Sequence, residues 1–205
     1  MVPPHFGPQP WFLIDVIASL VSMLACLFIY FRTREYYRLT KHEGIAYFRL
    51  AFLFFGLGFL MPLFHPLLRP LLGRSAGLVM TFVGTLAILS LLYSAVHKRF
   101  RMAIHPLAAI ILVSFALSLL PALFHFRAEI IVLQGVLFLA AVLLSHDHKK
   151  GSLHALYALL FLSWLANVGS RLAMRTTEGL SPLLSVLSAA LFLVVAYKVW
   201  RSTRH

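Results

Sequence analysis

Asp15, Asn167 and Arg171 carry the clearest chemical potential in this chain, because each sits within or at the edge of a long apolar run. Removing such groups from water is costly, so they pair, line a wet cavity or hold a ligand. Asp15 leads a series with Ser19, Ser22 and Cys26, spaced i, i+4, i+7 and i+11, which falls on one face of a helix. Ser163, Asn167 and Arg171 repeat at helical spacing too, and Gln134, Glu129, His65 and His125 come near the ends of other runs at a similar depth. Two chemistries fit this set. One is a structural ion pair in which Asp15 takes Arg171, or else Arg127, as its partner. The other is an outward-facing polar pocket of Asp15, Gln134, Asn167, Arg171, His65 and His125 that binds a ligand or ion.

The ten histidines suggest a second kind of site. Imidazole suits zinc, copper and iron, and paired histidines on neighbouring membrane helices can hold haem iron axially. His97, His105, His146, His148 and His154 are the metal candidates, with His146-Asp147-His148 close enough in sequence to chelate from a loop. The same residues serve equally as interfacial and packing groups, and no HExxH spacing supports a metal set. Neither haem nor metal is firmly implied, and the cofactor is unknown. Cys26 is the lone cysteine, so there is no intrachain disulfide and no CxxC motif.

Seven apolar runs must position these residues: Trp11–Phe31, Ile45–Leu67, Ala76–Val96, Leu107–Phe124, Ile130–Ser145, Leu153–Leu172 and Leu180–Trp200. About 20 helical residues cross a hydrocarbon layer of about 30 Å, and the fifth run, about 16 residues, is the weakest of the set. The chain is 61% hydrophobic and 12% charged, more apolar surface than a water-soluble domain can hide. Lacking the alternation of a barrel strand, the runs spell helices. The expected fold is an all-α polytopic membrane bundle. Residues 1–10 form an extended, Pro-rich extracellular N-terminus without signal-peptide character, 11–200 the seven-helix domain, and 201–205 a short basic tail. Thr81 and Thr85, Ser90, Ser94 and His97, Ser114 and Ser118, and Ser181, Ser185 and Ser188 are spaced for close helix packing.

Charge orients the bundle. The formal net charge is +12, with 18 Lys and Arg against 6 Asp and Glu. The basic residues flank the spans in short clusters, which explains the charge without nucleic acid. Twelve fall on one side, including Arg32, Arg34, Arg38, Lys41, Lys149, Lys150 and Arg201; five fall on the other, and Arg49 lies within the second span. The positive-inside rule puts the N-terminus outside and the C-terminus in the cytoplasm. Anionic lipid of the inner leaflet is an expected contact.

Enzymatic signatures are lacking. There is no phosphate-cradling GxxxxGK and no GxSxG, and the six acids are scattered along the chain. Lys198 lies at the end of the seventh run, unsuited to a mid-helix Schiff base. A faint repeat links Phe48-Arg49-Leu50-Ala51 to Phe100-Arg101-Met102-Ala103, and Pro62-Leu63-Phe64-His65 to Pro121-Ala122-Leu123-Phe124-His125. It would relate the second span to the fourth, although the intervals within it differ.

Tyr36-Tyr37-Arg38-Leu39-Thr40-Lys41, followed by Tyr47-Phe48-Arg49-Leu50-Ala51-Phe52-Leu53, resembles the first loop and second span of uncharacterised archaeal and bacterial seven-helix membrane proteins. Similar modules are membrane sensor regions ahead of signalling kinases. The resemblance covers about 20 residues and implies a sensory role, exercised through a signalling partner or a homo-oligomer because no output domain follows Trp200. The resulting expectation is a non-enzymatic plasma-membrane protein that senses or binds a ligand. A small alternating-access transporter, or a haem-binding electron carrier, is the alternative.

Overall fold

Lys41 and His42 alone separate the first two helices of the bundle. The computed structural model describes the backbone of residues 10–72, 75–97, 105–124, 127–145, 151–173 and 180–203. Side chains are described for these residues except 10–12, 62, 65–72, 76, 121–124, 127, 151 and 152. Seven helices follow in order: α1 Pro10–Thr40, α2 Glu43–Leu72, α3 Ser75–Val96, α4 Pro106–Phe124, α5 Arg127–Ser145, α6 Gly151–Ala173 and α7 Leu180–Ser202. Apolar runs fold this way because a helix satisfies its own backbone groups where water is absent.

The link between α1 and α2 shows the local logic. Lys41 adopts a left-handed backbone, φ 47°, and its N–H donates to Tyr37 O at 2.8 Å, closing α1. His42 O then accepts from Ile45 N at 3.0 Å and Ala46 N at 3.3 Å. Glu43 puts a carboxylate in the first turn of α2, where the helix dipole favours negative charge. α1 runs nine residues past the expected end at Phe31, so its 31 residues extend about 46 Å. The extension is polar, and helical continuation through Arg32–Thr40 left no trace in the apolar pattern.

Among the described residues six helices are long and apolar enough to cross a membrane, α5 included, and the described apolar part of α4 runs from Pro106 to Leu120. Helix α5 gains its length at the start, where Ala128 and Glu129 join the first turn; the carboxylate suits that end of the dipole.

Packing closes six helices into a ring in the order α1, α2, α3, α5, α6, α7 and back to α1, while α4 stands outside against α3 and α5. The neighbour pattern is twofold. α1–α2–α3 maps onto α5–α6–α7, and the two joints, α3 with α5 and α7 with α1, exchange. The faint repeat of the second and fourth spans has no counterpart, since α2 belongs to the ring and α4 does not.

Aromatic rings fill the centre. Phe48, Phe52, Phe55 and Phe59, at i, i+4, i+7 and i+11, line one face of α2 and are buried with Phe138, Tyr157 and Phe192. Phe55 meets Phe138 and Phe192 at centroid distances of 6.1 and 6.2 Å, and Phe59 meets Phe192 edge-on at 5.1 Å. The Phe55–Phe138 rings stack, whereas Phe192 meets its neighbours edge-to-face, and both geometries are favourable for the ring quadrupole. Small residues bring the backbones together elsewhere: Cys26, Ala51 and Ala87 are wholly buried, and Gly135 seats the Trp164 ring, 3.2 Å from where a Cβ would stand.

Candidate functional site: a polar network at the basic end

Most in-membrane polar residues are spent on joining helices. Ser163 Oγ donates to Ser188 O and Ser188 Oγ to Ser163 O, both at 3.0 Å, binding α6 to α7. Ser170 adds hydroxyl contacts to Ser181 at 3.1 Å and Ser185 at 2.7 Å. Gln134 Nε2 donates to Thr85 Oγ1 at 2.9 Å, so this candidate joins α5 to α3. These contacts are the close-packing role of small polar residues.

A denser network lies where α1 and α3 end and α2 begins. Ser94, near the end of α3, donates to Gly44 O at 2.7 Å and receives the Tyr157 hydroxyl of α6 at 3.1 Å. One turn further, His97 Nδ1 sits 3.1 Å from Ser94 O, and its Nε2 lies 3.3 Å from His42 Nε2. A carbonyl only accepts, so in neutral His97 the Nδ1 carries the proton and Nε2 is left as an acceptor. The shared contact then requires His42 to donate from Nε2. The two rings cross edge-on at 4.5 Å between centroids. Gly44 is required beneath them, because a Cβ there would fall 2.6 Å from His97 Cε1.

Aromatic and cationic groups surround the network. Tyr47 and Tyr93 meet edge-on at 4.5 Å. Arg49 lies over the rings of Tyr30 and Tyr37, at 4.8 and 5.5 Å, and its Nε donates to Tyr30 O at 3.3 Å. The guanidinium within the second span is therefore held by cation–π contacts and a carbonyl rather than by a carboxylate.

The outer candidates are not brought together in the way the ion-pair reading required. Asp15 lies on α1 at the register of buried Ala18, Ser22 and Cys26, and its Oδ1 is buried with no hydrogen bond among the described residues. Arg171 on α6 has solvent-exposed surface, and no ion pair joins it to Asp15 among the described residues. Asn167 is half-buried on α6. His125, His146 and His148 lie outside the described residues, as do the side chains of His65 and Arg127.

The remaining metal candidates are dispersed. His105 is exposed ahead of α4, its carbonyl accepting from Ala108 N and Ala109 N. His154 Nδ1 sits 3.2 Å from Ser145 Oγ and 3.1 Å from Val142 O, tying α6 to α5. Among the described residues no three His, Cys, Asp or Glu side chains are grouped to hold a metal ion. Sequence reasoning singled out His97 but missed His42, Gly44 and Tyr157. The helical spacing of Ser90, Ser94 and His97 marked one side of the network; nothing in the sequence marked the others.

No family model matches the chain, and no solved structure matches it. It is 27% identical to an uncharacterized protein of Archaeoglobus fulgidus, over 98% of this chain and 97% of that protein. The likeness therefore extends across all seven helices.

Proposed function

We propose that this is a non-catalytic, multi-pass membrane protein with a sensory role, and that the His42–His97 contact is its responsive element. The carrying observation is that contact: two imidazoles from different helices, 3.3 Å apart, wired through Ser94 to α2 and α6. Imidazole changes charge within the physiological range. A single added proton is shared across the contact, with one ring donating from Nε2 and the other accepting; when both rings are charged, two N–H groups face each other and the contact breaks. Lys41 and Glu43 flank His42, and among the described residues Arg49 and the Tyr47, Tyr93 and Tyr157 hydroxyls are further titratable groups around the network. The twelve-to-five split of basic residues supports placing this end in the cytoplasm of the cell membrane.

Hydrogen exchange of the purified protein in lipid nanodiscs tests the reading. Amides of residues 42–47 and 94–97 are expected to be less protected, relative to their intrinsic exchange rates, at pH 5 than at pH 7.5. A His97→Phe variant is expected to show no such difference. Equal protection at both pH values in the unaltered protein would remove the responsive element.

A transporter is the second reading, favoured by the twofold arrangement of α1–α3 and α5–α7 with α4 between them. Parallel repeats of this kind rock against each other in some carriers. The packed aromatic centre counts against it, and solute flux in proteoliposomes separates the two readings.

A further inference from the structure

The joint between α1 and α7 is furrowed on its outer side. One hollow of about 720 Å³ is bounded by Leu24, Ala25 and Phe28 of α1 and by Ala196, Tyr197 and Trp200 of α7. A second, of about 270 Å³, continues it past Ala18 and Ala189, and the two share Val21 and Leu193. From Ile14 to Phe28 the furrow runs about 21 Å along α1. That exceeds one leaflet's share, about 15 Å, of the hydrocarbon layer. Alanines form its floor, while Leu24, Phe28, Leu193 and Tyr197 stand exposed as walls.

At the basic end the furrow meets cations. Arg32 follows Phe28 by one turn on the same face of α1. Its Nε donates to Thr203 Oγ1 at 3.0 Å and its Nη2 to Thr203 O at 3.4 Å, closing the joint above the furrow. Arg201 follows Tyr197 by one turn on α7 and is exposed. Tyr197 and Trp200, 5.9 Å apart, are the residue types that settle at headgroup depth. Glu35 is the acid beside Arg32, at 3.8 Å, and points into solvent.

We propose that this furrow is a binding site for one anionic phospholipid. Its acyl chain lies along the alanine floor, and its phosphate sits at Arg32 and Arg201. The charge at one end and the chain-length apolar trough leading from it favour this occupant over a neighbouring helix, which would bring no anion to the arginines.

The test uses the full-length protein in nanodiscs containing phospholipids with a photoreactive acyl chain, phosphatidylglycerol in one set and phosphatidylcholine in the other. Crosslinks from the anionic lipid are expected on α1 and α7 peptides at roughly thirtyfold the zwitterionic level, the attraction of about two surface arginines. Arg201→Gln, an exposed position with no described structural contact, is expected to reduce that preference. Ala196→Phe, which fills the trough, is expected to abolish crosslinking here for both lipids. Equal labelling by the two lipids overturns the proposal. So does disulfide crosslinking between two copies through Leu193→Cys, which would mean that the furrow is a self-association surface.

Discussion

Gly44 is the residue on which the His42–His97 contact depends most directly. In an exposed first turn, alanine in place of glycine would add up to about 1 kcal/mol of helix stability. Here the added Cβ would collide with the His97 ring. Gly44→Ala is expected to destabilise the protein by about 1–3 kcal/mol in denaturant unfolding, as overpacking does. Placed in a His97→Ala background, the same change is expected to be neutral or stabilising. A full penalty persisting in that background would show that the ring is not the obstacle. Tyr157 is 1% exposed, and its hydroxyl serves Ser94. Tyr157→Phe is expected to cost about 1 kcal/mol by the same measurement, the net worth of one hydrogen bond. Residues of this network were only half legible. His97 shares a helix face with Ser90 and Ser94, a pattern visible in any one-helix reading. His42 and Tyr157 meet that face only because distant segments fold against it.

Helix by helix, the apolar runs foretold where the elements lie but not where they stop. Hydropathy registers the part of a helix that needs lipid, so the polar reach of α1 from Arg32 to Thr40 escaped it. Depth along the chain also suggested an ion pair that the described residues do not form. Because Asp15 and Arg171 are not paired, Asp15→Asn and Arg171→Gln are expected to change thermal stability additively. A double variant markedly more stable than the sum would reveal a coupling between them. Burial also ranks the helices as targets. Phe192 of α7 packs against both Phe55 and Phe59, and Phe192→Ala is expected to cost about 3–5 kcal/mol. Leu112 on α4 is 66% exposed. Leu112→Ala is expected to stay within about 0.5 kcal/mol, consistent with a helix outside the ring.

At the scale of the molecule, hydropathy gave the helix count and charge an expected sidedness that labelling tests, whereas ring order was not legible. Ring order depends on which apolar faces match, and these seven runs are too alike in Leu and Phe to declare their neighbours. Cys26 has no exposed surface and is expected to stay silent toward an impermeant maleimide, which leaves introduced cysteines to report sidedness. Gln9→Cys is expected to label on intact cells. Lys41→Cys and Arg204→Cys are expected to label only after the membrane is opened. The opposite pattern would invert the protein and place the histidine network outside.

Ring closure carries a consequence for how the chain is made. The bond from Arg32 to Thr203 joins residues 171 apart in sequence, and the partner of α1 at that joint is synthesised after the other six helices. At about 5–20 residues per second, α1 waits roughly 10–30 s for α7 after its own translation. On the proposed lipid occupancy, lipid would cover the α1 joint face during that wait, and the furrow would be the part of the face that α7 leaves to it.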